Sequence, residues 1–289
     1  MIDLHCHVLP GIDDGPKSLE QAVEMCRLAA AAGCEALVAT PHQRKSDWWN
    51  CDRAALAALR RRLQEAVGPT PRILAGGEIR VDPRLLAEML ALGEDDAHGP
   101  LPLAGSRYLL LEFGSDAEVA EAADLVHELS VAGWRPVLAH PEFIHWMARD
   151  PAVVAHLVSL GALAQVTAMS LTGDFGRRAQ ADASRLIEMG LVHFVASDAH
   201  DLTRRPPGLR RAWDAIAARW GEEAARELLA DNPRAVVADR PLPSLAPTGP
   251  GLAPHAGGPP CEGAEPGDPA PVRAALRFTP LTPVIPVTK

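Results

Sequence analysis

The sequence predicts an α/β barrel, with seven β–α repeats whose parallel strands close on themselves. Three observations support this. Short apolar runs alternate with stretches of helical periodicity up to about residue 240, and continuous apolar strands belong to parallel sheets covered on both faces. Metal-capable side chains sit at the end of nearly every run, where barrels gather their chemistry. No Gly-x-Gly-x-x-Gly or phosphate-binding loop marks the nucleotide crevice of a doubly wound sheet.

Strands are expected at "MIDLHCH", "EALVATPH", "RILAGGEIRV", "RYLLLEF", "RPVLAHPE", "LAQVTA" and "VHFVASDAH". Helical patterns fall between them, near 18–33, 52–66, 83–92, 116–132, 150–160, 177–190 and 209–230. Ser18, Ser115-Asp116 and Asp150 ahead of Pro151 are the expected caps. Gly33, Gly133, Gly161 and Gly190 stand where helices should stop in a left-handed residue. Composition changes near residue 240, where "PLPSLAPTGPGLAPHAGGPPCEGAEPGDPAP" begins a stretch too poor in core residues to offset its ordering entropy. The expected organisation is one domain over 1–240 and a disordered Pro/Gly-rich tail over 241–289.

The net charge is −9 and no basic run occurs, which argues against a nucleic-acid partner. No apolar stretch reaches the roughly 18 residues of a membrane span. The first residues lack the charged and apolar regions of a signal peptide. Five scattered cysteines without C-x-x-C spacing read as reduced thiols, and the expected compartment is the cytoplasm.

The strand ends carry the chemistry. The first supplies His5 and His7, then Asp14; the second His42, the third Glu78 and the fourth Glu112. The fifth supplies His140, and the seventh Asp198 and His200. Residues two apart on a strand share a face, so His5 and His7 should point inward with Cys6 turned to the helices. By the same alternation Asp3 should lie inward and deeper, orienting a ligating imidazole. Carboxylates crowded in a low-dielectric pocket repel one another, and divalent cations remove that penalty. Mixed imidazole and carboxylate ligands suit Mn, Fe or Zn better than calcium. A single histidine is more often a hydrogen-bonded core group than a ligand; nine such groups at six strand ends are not independent accidents. His98, His127, His156, His193 and His255 fall in loops, helices or the tail and read as structural. Trp48, Trp49 and Trp146 read first as packing, although they follow ligand-bearing strands.

In this order, "HCHVLPGIDDGP", "TPH", "GGEI", "LLEF", "AHPE", "QVTAMSLTGDFG" and "SDAH" resemble the polymerase and histidinol phosphatase (PHP) superfamily. Within it the chain resembles the bacterial manganese-dependent tyrosine-protein phosphatases of capsule and exopolysaccharide clusters. The likeness spans about residues 1–240. It implies a distorted (β/α)7 TIM-like barrel, the PHP fold, with a three-metal cluster of Mn2+ (Fe, Zn or Mg being alternatives). His5, His7, Glu78 and Asp198 would hold one metal; Glu78, Glu112 and His140 a second; Asp14, His42 and His200 a third. A metal-activated water would attack phosphorus, with Asp198, His200 and Arg205 as catalytic residues; Arg205 matches a phosphate-binding arginine of the family, and the adjacent Arg204 is a further substrate-binding candidate. The substrate implied is a tyrosine-phosphorylated protein, a kinase of polysaccharide export.

Two positions depart from the pattern: Phe143 replaces a second phosphate-gripping arginine after "HPE", and Gln43 follows His42. Phenylalanine cannot offer the parallel hydrogen bonds of a guanidinium. Arg44, Lys45, Arg80 and His145 are candidates for the missing charge. Two alternatives stand beside the main reading. One is a small-molecule phosphomonoesterase such as histidinol-phosphate phosphatase, the other a catalytically reduced regulator that binds a phosphorylated partner.

Overall fold

The structure, a computed structural model, describes residues 1–92 and 97–242. Apart from its first two residues, the tail expected over 241–289 lies outside the described residues. Strand segments form the wall: β1 (Ile2–Cys6), β2 (Ala36–Ala39), β3 (His42–Gln43), β4 (Arg72–Ala75), β5 (Glu78–Arg80), β6 (Tyr108–Glu112), β7 (Arg135–Ala139), β8 (Leu163–Thr167) and β9 (Phe194–Ala196). They pair in parallel in the orders β1-β2-β4 and β3-β5-β6-β7-β8-β9. The ring closes beyond the end of β9, where His7 N donates to Ala199 O at 2.9 Å and Asp198 N to His5 O at 2.8 Å. The result is a distorted TIM-like barrel. It has seven staves, but the second and third are each broken in two. Pro41 lacks the donor a continuous ladder needs at the first break. At the second, Gly76 and Gly77 lie so close to Val38 and Gln43 that an added Cβ would sit 2.6 and 1.9 Å from their side chains.

Helices cover the outside. Ser18 caps the Leu19–Ala31 helix by accepting from Gln21 N, and Asp150 caps Pro151–Ser159 by accepting from Ala152 N. Gly33, Gly133, Gly161 and Gly190 do have positive φ. The expected cap at Ser115-Asp116 is wrong: that helix is Val119–Val131, opening at Glu118 without a side-chain cap. The 209–230 pattern is not one helix. It breaks at Gly221 (φ 96°), into Arg210–Trp220 and Glu222–Arg226, then a π-helical turn leads into Asn232–Val237. Short helices at His145–Arg149 and Ala168–Thr172 fill what the sequence reading left as loop.

Two apolar clusters divide the interior. An inner one stacks Ile2, Leu4, Val38, Leu110, Val137, Ala139 and Phe194, while a larger one joins the wall to the helices. On β6 the inward row continues from Tyr108 and Leu110 to Glu112; from β9 it runs from Phe194 and Ala196 to Asp198. On β1 alternation fails. Ile2 and Leu4 join the inner cluster, the register with β2 shifts between Asp3 and Cys6, and Cys6 joins the outer cluster. A slip of this kind exchanges the faces of the residues beyond it. Asp3 is therefore not the imidazole-orienting group that alternation suggests: its Oδ1 accepts from the backbone N–H groups of His5 (3.3 Å) and Ser197 (3.0 Å).

His193 sits below this wall, 8% exposed, with its Nδ1 accepting from Ala164 N at 3.2 Å. Burial pushes its pKa down to about 4. The unfolded chain therefore binds the proton more readily, and this group's contribution is present above pH ~6.5 and lost as pH falls towards 4. Replacing His193 with Asn, which keeps an acceptor, should flatten the acid limb of the stability curve. Between pH ~6.5 and 4 the wild type should lose up to roughly 3 kcal/mol relative to the variant in urea unfolding. Parallel curves would refute this.

Candidate metal centre

The inward rows of the broken barrel end in a ring of imidazoles and carboxylates. At its centre Glu78, 1% exposed, lies within reach of four rings. Its Oε1 is 2.8 Å from His140 Nε2 and 3.6 Å from His5 Nε2; its Oε2 is 2.7 Å from His42 Nδ1 and 3.4 Å from His7 Nε2. Asp198 Oδ1 is 3.3 Å from His5 Nε2 and 3.7 Å from His7 Nε2. Asp14 Oδ1 lies 3.4 Å from His42 Nε2 and 3.3 Å from His200 Nε2.

The donor atoms fit cations better than they fit one another. Glu78 Oε2, Asp198 Oδ1, Glu112 Oε2 and His42 Nδ1 are buried without a hydrogen-bond partner, although Glu78 Oε2 and His42 Nδ1 are 2.7 Å apart. They approach without aligning, as ligands of a shared ion do: donors about 2.1 Å from a metal stand about 3 Å from each other. Among the described residues potential ligand groups form four sets: His7, Asp14, His42 and His200; His5, His140 and Asp198; His5, His7 and Glu78; His42, Glu78 and Glu112. All nine residues singled out in the sequence fall in these sets. Their grouping differs from the one the resemblance implies, since His140 lies with His5 and Asp198, and Glu112 with His42 and Glu78.

Three histidines have their ring orientation fixed from behind. His5 Nδ1 bonds Gln165 Oε1 at 2.9 Å, His7 Nδ1 bonds Asp13 Oδ2 at 2.8 Å, and His200 Nδ1 bonds Asp198 O at 2.9 Å. In each case Nδ1–H donates to the oxygen, which leaves Nε2 directed at the cluster. Asp13 also accepts from Gly15 N and His42 N, so one carboxylate ties the first loop to the second stave. His140 (φ 35°) and Asp198 (φ 51°) hold left-handed backbone, an uncommon state for such residues, at the site.

Charge is balanced inside the cluster. Burial disfavours the imidazolium forms, but Asp198 and Glu78 hold His5 up to about 9, and Asp14 and Glu78 hold His42 up to about 10. Burial likewise opposes the charged carboxylates, yet His5 and its neighbours keep Glu78 and Asp198 low. Among the cluster's imidazoles His200 moves the other way, lowered by burial and by the charge of His7.

Cations ring the mouth. Arg205 bonds Asp198 Oδ2 through Nη2 and lies 3.5 Å from His200 Nε2. Lys45 Nζ and Arg80 Nη1 stand 3.4 and 3.5 Å from Glu112 Oε1. Arg204 lines a cavity of about 430 Å³ with Asp14, His200 and Arg205, but contacts no cluster side chain through its own. Arg44 is committed elsewhere, buried against Asp82 and Glu88. His145 opens an exposed turn of helix. Trp48 stacks on His42 at 5.2 Å, and Trp146 donates to Gly114 O.

Sequence reading missed Asp13, Gln165 and Glu142. Gln165 was visible as a polar residue between Ala164 and Val166 on a buried strand, whereas nothing in "IDDG" tells which aspartate turns back.

A family model described as "Capsular polysaccharide synthesis, CpsB/CapC" matches residues 1–238. Tyrosine-protein phosphatase YwqE of Bacillus subtilis is 35% identical over 226 residues, 77% of this chain and 86% of that protein. Tyrosine-protein phosphatase CpsB of Streptococcus pneumoniae is 30% identical over 247 residues, 83% of this chain and 99% of that protein. A chain from the crystal structures of these two proteins, described as metal-dependent tyrosine phosphatases, superposes with a TM-score of 0.76 at 33% identity. That match covers 84% of this chain and 96% of the other. A lactonase from Listeria monocytogenes (TM-score 0.50, 12% identity, 80% and 92% of the two chains) shares the fold alone.

Asp13 is not itself a candidate ligand, and replacing it with Ala should free the His7 ring and release the backbone N–H of His42. Divalent-metal affinity, measured by competition with a chromogenic chelator, should fall about 10- to 100-fold. Unchanged affinity would remove Asp13 from this role.

Proposed function

The chain belongs to the CpsB/CapC family of capsular polysaccharide synthesis, and from that premise we propose that it is a metal-dependent phosphatase hydrolysing phosphotyrosine on protein. The observation that carries the reading is the set of partnerless buried carboxylate oxygens of Glu78, Glu112 and Asp198, the last of which also bonds Arg205 through its other oxygen. The imidazole and carboxylate donors suit Mn, Fe or Zn, and the resemblance favours Mn2+ in a three-metal cluster. Divalent cations bound there would supply an ionised water at neutral pH and neutralise developing charge on phosphorus.

The chain's own residues do the rest. Arg205 is about one-third exposed, so its guanidinium can hold Asp198 and still meet phosphoryl oxygens from the cavity. Lys45 and Arg80 place positive charge at the Glu112 end of the cluster. Arg204 faces the same cavity and would steer an anion. Among the described residues cysteine chemistry has no support: Cys6, Cys26, Cys34 and Cys51 are buried, and burial pushes Cys26 and Cys34 up to about 12. These free thiols also support a reducing, cytoplasmic setting. No described helix is long and apolar enough to cross a membrane. The partner that fits is a tyrosine kinase of polysaccharide export.

With Mn2+ the full chain should hydrolyse a phosphotyrosine peptide faster than histidinol phosphate or a nucleotide. A chelator should abolish the activity and a thiol-alkylating reagent should leave it. Arg205→Ala should lower kcat/KM about 100-fold or more, and Arg204→Ala only a few-fold. Preference for histidinol phosphate, or peptide binding without phosphate release, would overturn the reading.

A further inference from the structure

We propose that Phe143 and Phe175 form an aromatic wall that receives the aryl ring of the substrate, so that this site favours aryl over alkyl phosphate esters through the ring itself. The inference rests on the phosphatase reading above.

Both rings come from one braced unit. Phe143 ends the His140–Phe143 turn, with its N–H donating to His140 O at 2.9 Å. Glu142 in that turn is 4% exposed and accepts from Thr167 N at 2.7 Å and Ser170 Oγ at 2.8 Å. The turn is thereby fixed to the Ala168–Thr172 helix, whose exit loop carries Phe175. The rings meet edge to face, 5.2 Å between centroids and 80° between planes. Phe143 nevertheless remains 45% exposed while lying 6.0 Å from the His140 ring. A phenyl group held by a buried network yet left open beside a polar cluster is placed for a ligand more than for the core.

The wall adjoins the anion-holding group. Phe175 lines the cavity with Asp14, His200 and Arg205, and the Arg205 guanidinium carbon is 6.0 Å from its ring. An aryl phosphate carries its ring one oxygen from phosphorus. With the phosphoryl group at Arg205, that ring can turn its face or edge to the exposed Phe143, in the geometries aromatic pairs favour. A serine or threonine ester presents only a small alkyl carbon there. Because the ring contact is the same before and in the transition state, it should appear in KM rather than in kcat.

Phe143→Ala should raise KM for a phosphotyrosine peptide roughly three- to tenfold with kcat within about twofold, and lower the preference over the matching phosphoserine peptide. Calorimetry with the non-hydrolysable probe benzylphosphonate should show a similar loss of affinity. Inorganic phosphate should shift less than about twofold, since it has no ring to lose. Phe143→Trp should restore aryl binding. Equal losses for benzylphosphonate and inorganic phosphate, or no change in either, would overturn the wall. If the wild type hydrolyses no phosphotyrosine the phosphatase reading falls, and the ratio of the two dissociation constants still decides on the wall.

Discussion

One carboxylate kept out of water constrains the rest. Glu78 is almost fully buried, with four imidazoles within 2.7–3.6 Å of its oxygens. Burying a lone carboxylate is prohibitive, so the site needs compensating positive charge. Without metal, protons on the surrounding imidazoles supply it, which is why His5 and His42 are held up to about 9 and 10. Divalent cations can take over that role, and ligands must shed those protons to bind them. Charge balance and metal capture are therefore two states of one buried assembly.

The wall delivers these groups by strand parity. Val38, Thr40 and His42 follow one inward row, and Leu74, Gly76, Glu78 and Arg80 another, so the polar ring roofs the inner apolar cluster. The two staves break between their apolar and polar halves, at Thr40-Pro41 and Gly76-Gly77. Gly76 belongs there because Val38 occupies the space its Cβ would take. Elsewhere the backbone departs from regularity to aim a side chain: the slip in β1 accompanies His5 and His7, and left-handed residues carry His140 and Asp198.

This explains what was legible in the sequence. The repeat of apolar strand and amphipathic helix is a local signal, and the seven staves and most helices lie where their patterns put them. The strand-end histidines and carboxylates were legible because barrel topology makes distant strand ends neighbours. Asp3 was misread because one irregular residue pair reverses the parity on which the reading depended. Asp13 was missed because its partner, His7 Nδ1, is defined by a turn and not by strand periodicity. Glu142 in "HPE" shows no role in the sequence because Thr167 and Ser170, which it binds, come from another stave.

The mouth of the site separates two kinds of recognition. Three of its cations lean on a carboxylate: Arg205 on Asp198, and Lys45 and Arg80 on Glu112. Arg44, a neighbour in sequence, is withdrawn into a buried pair with Asp82 and Glu88. Beside His140 there is no comparable cation, and Phe143 stands there instead. Positive charge attracts any phosphate ester at long range, whereas an apolar surface distinguishes esters only on contact and by what they carry. With phenylalanine at position 143, where the family resemblance implies arginine, that edge offers no charge to phosphate. In the proposed wall that ring would offer a contact that depends on the leaving group, from a turn that Glu142 fastens to Thr167 and Ser170.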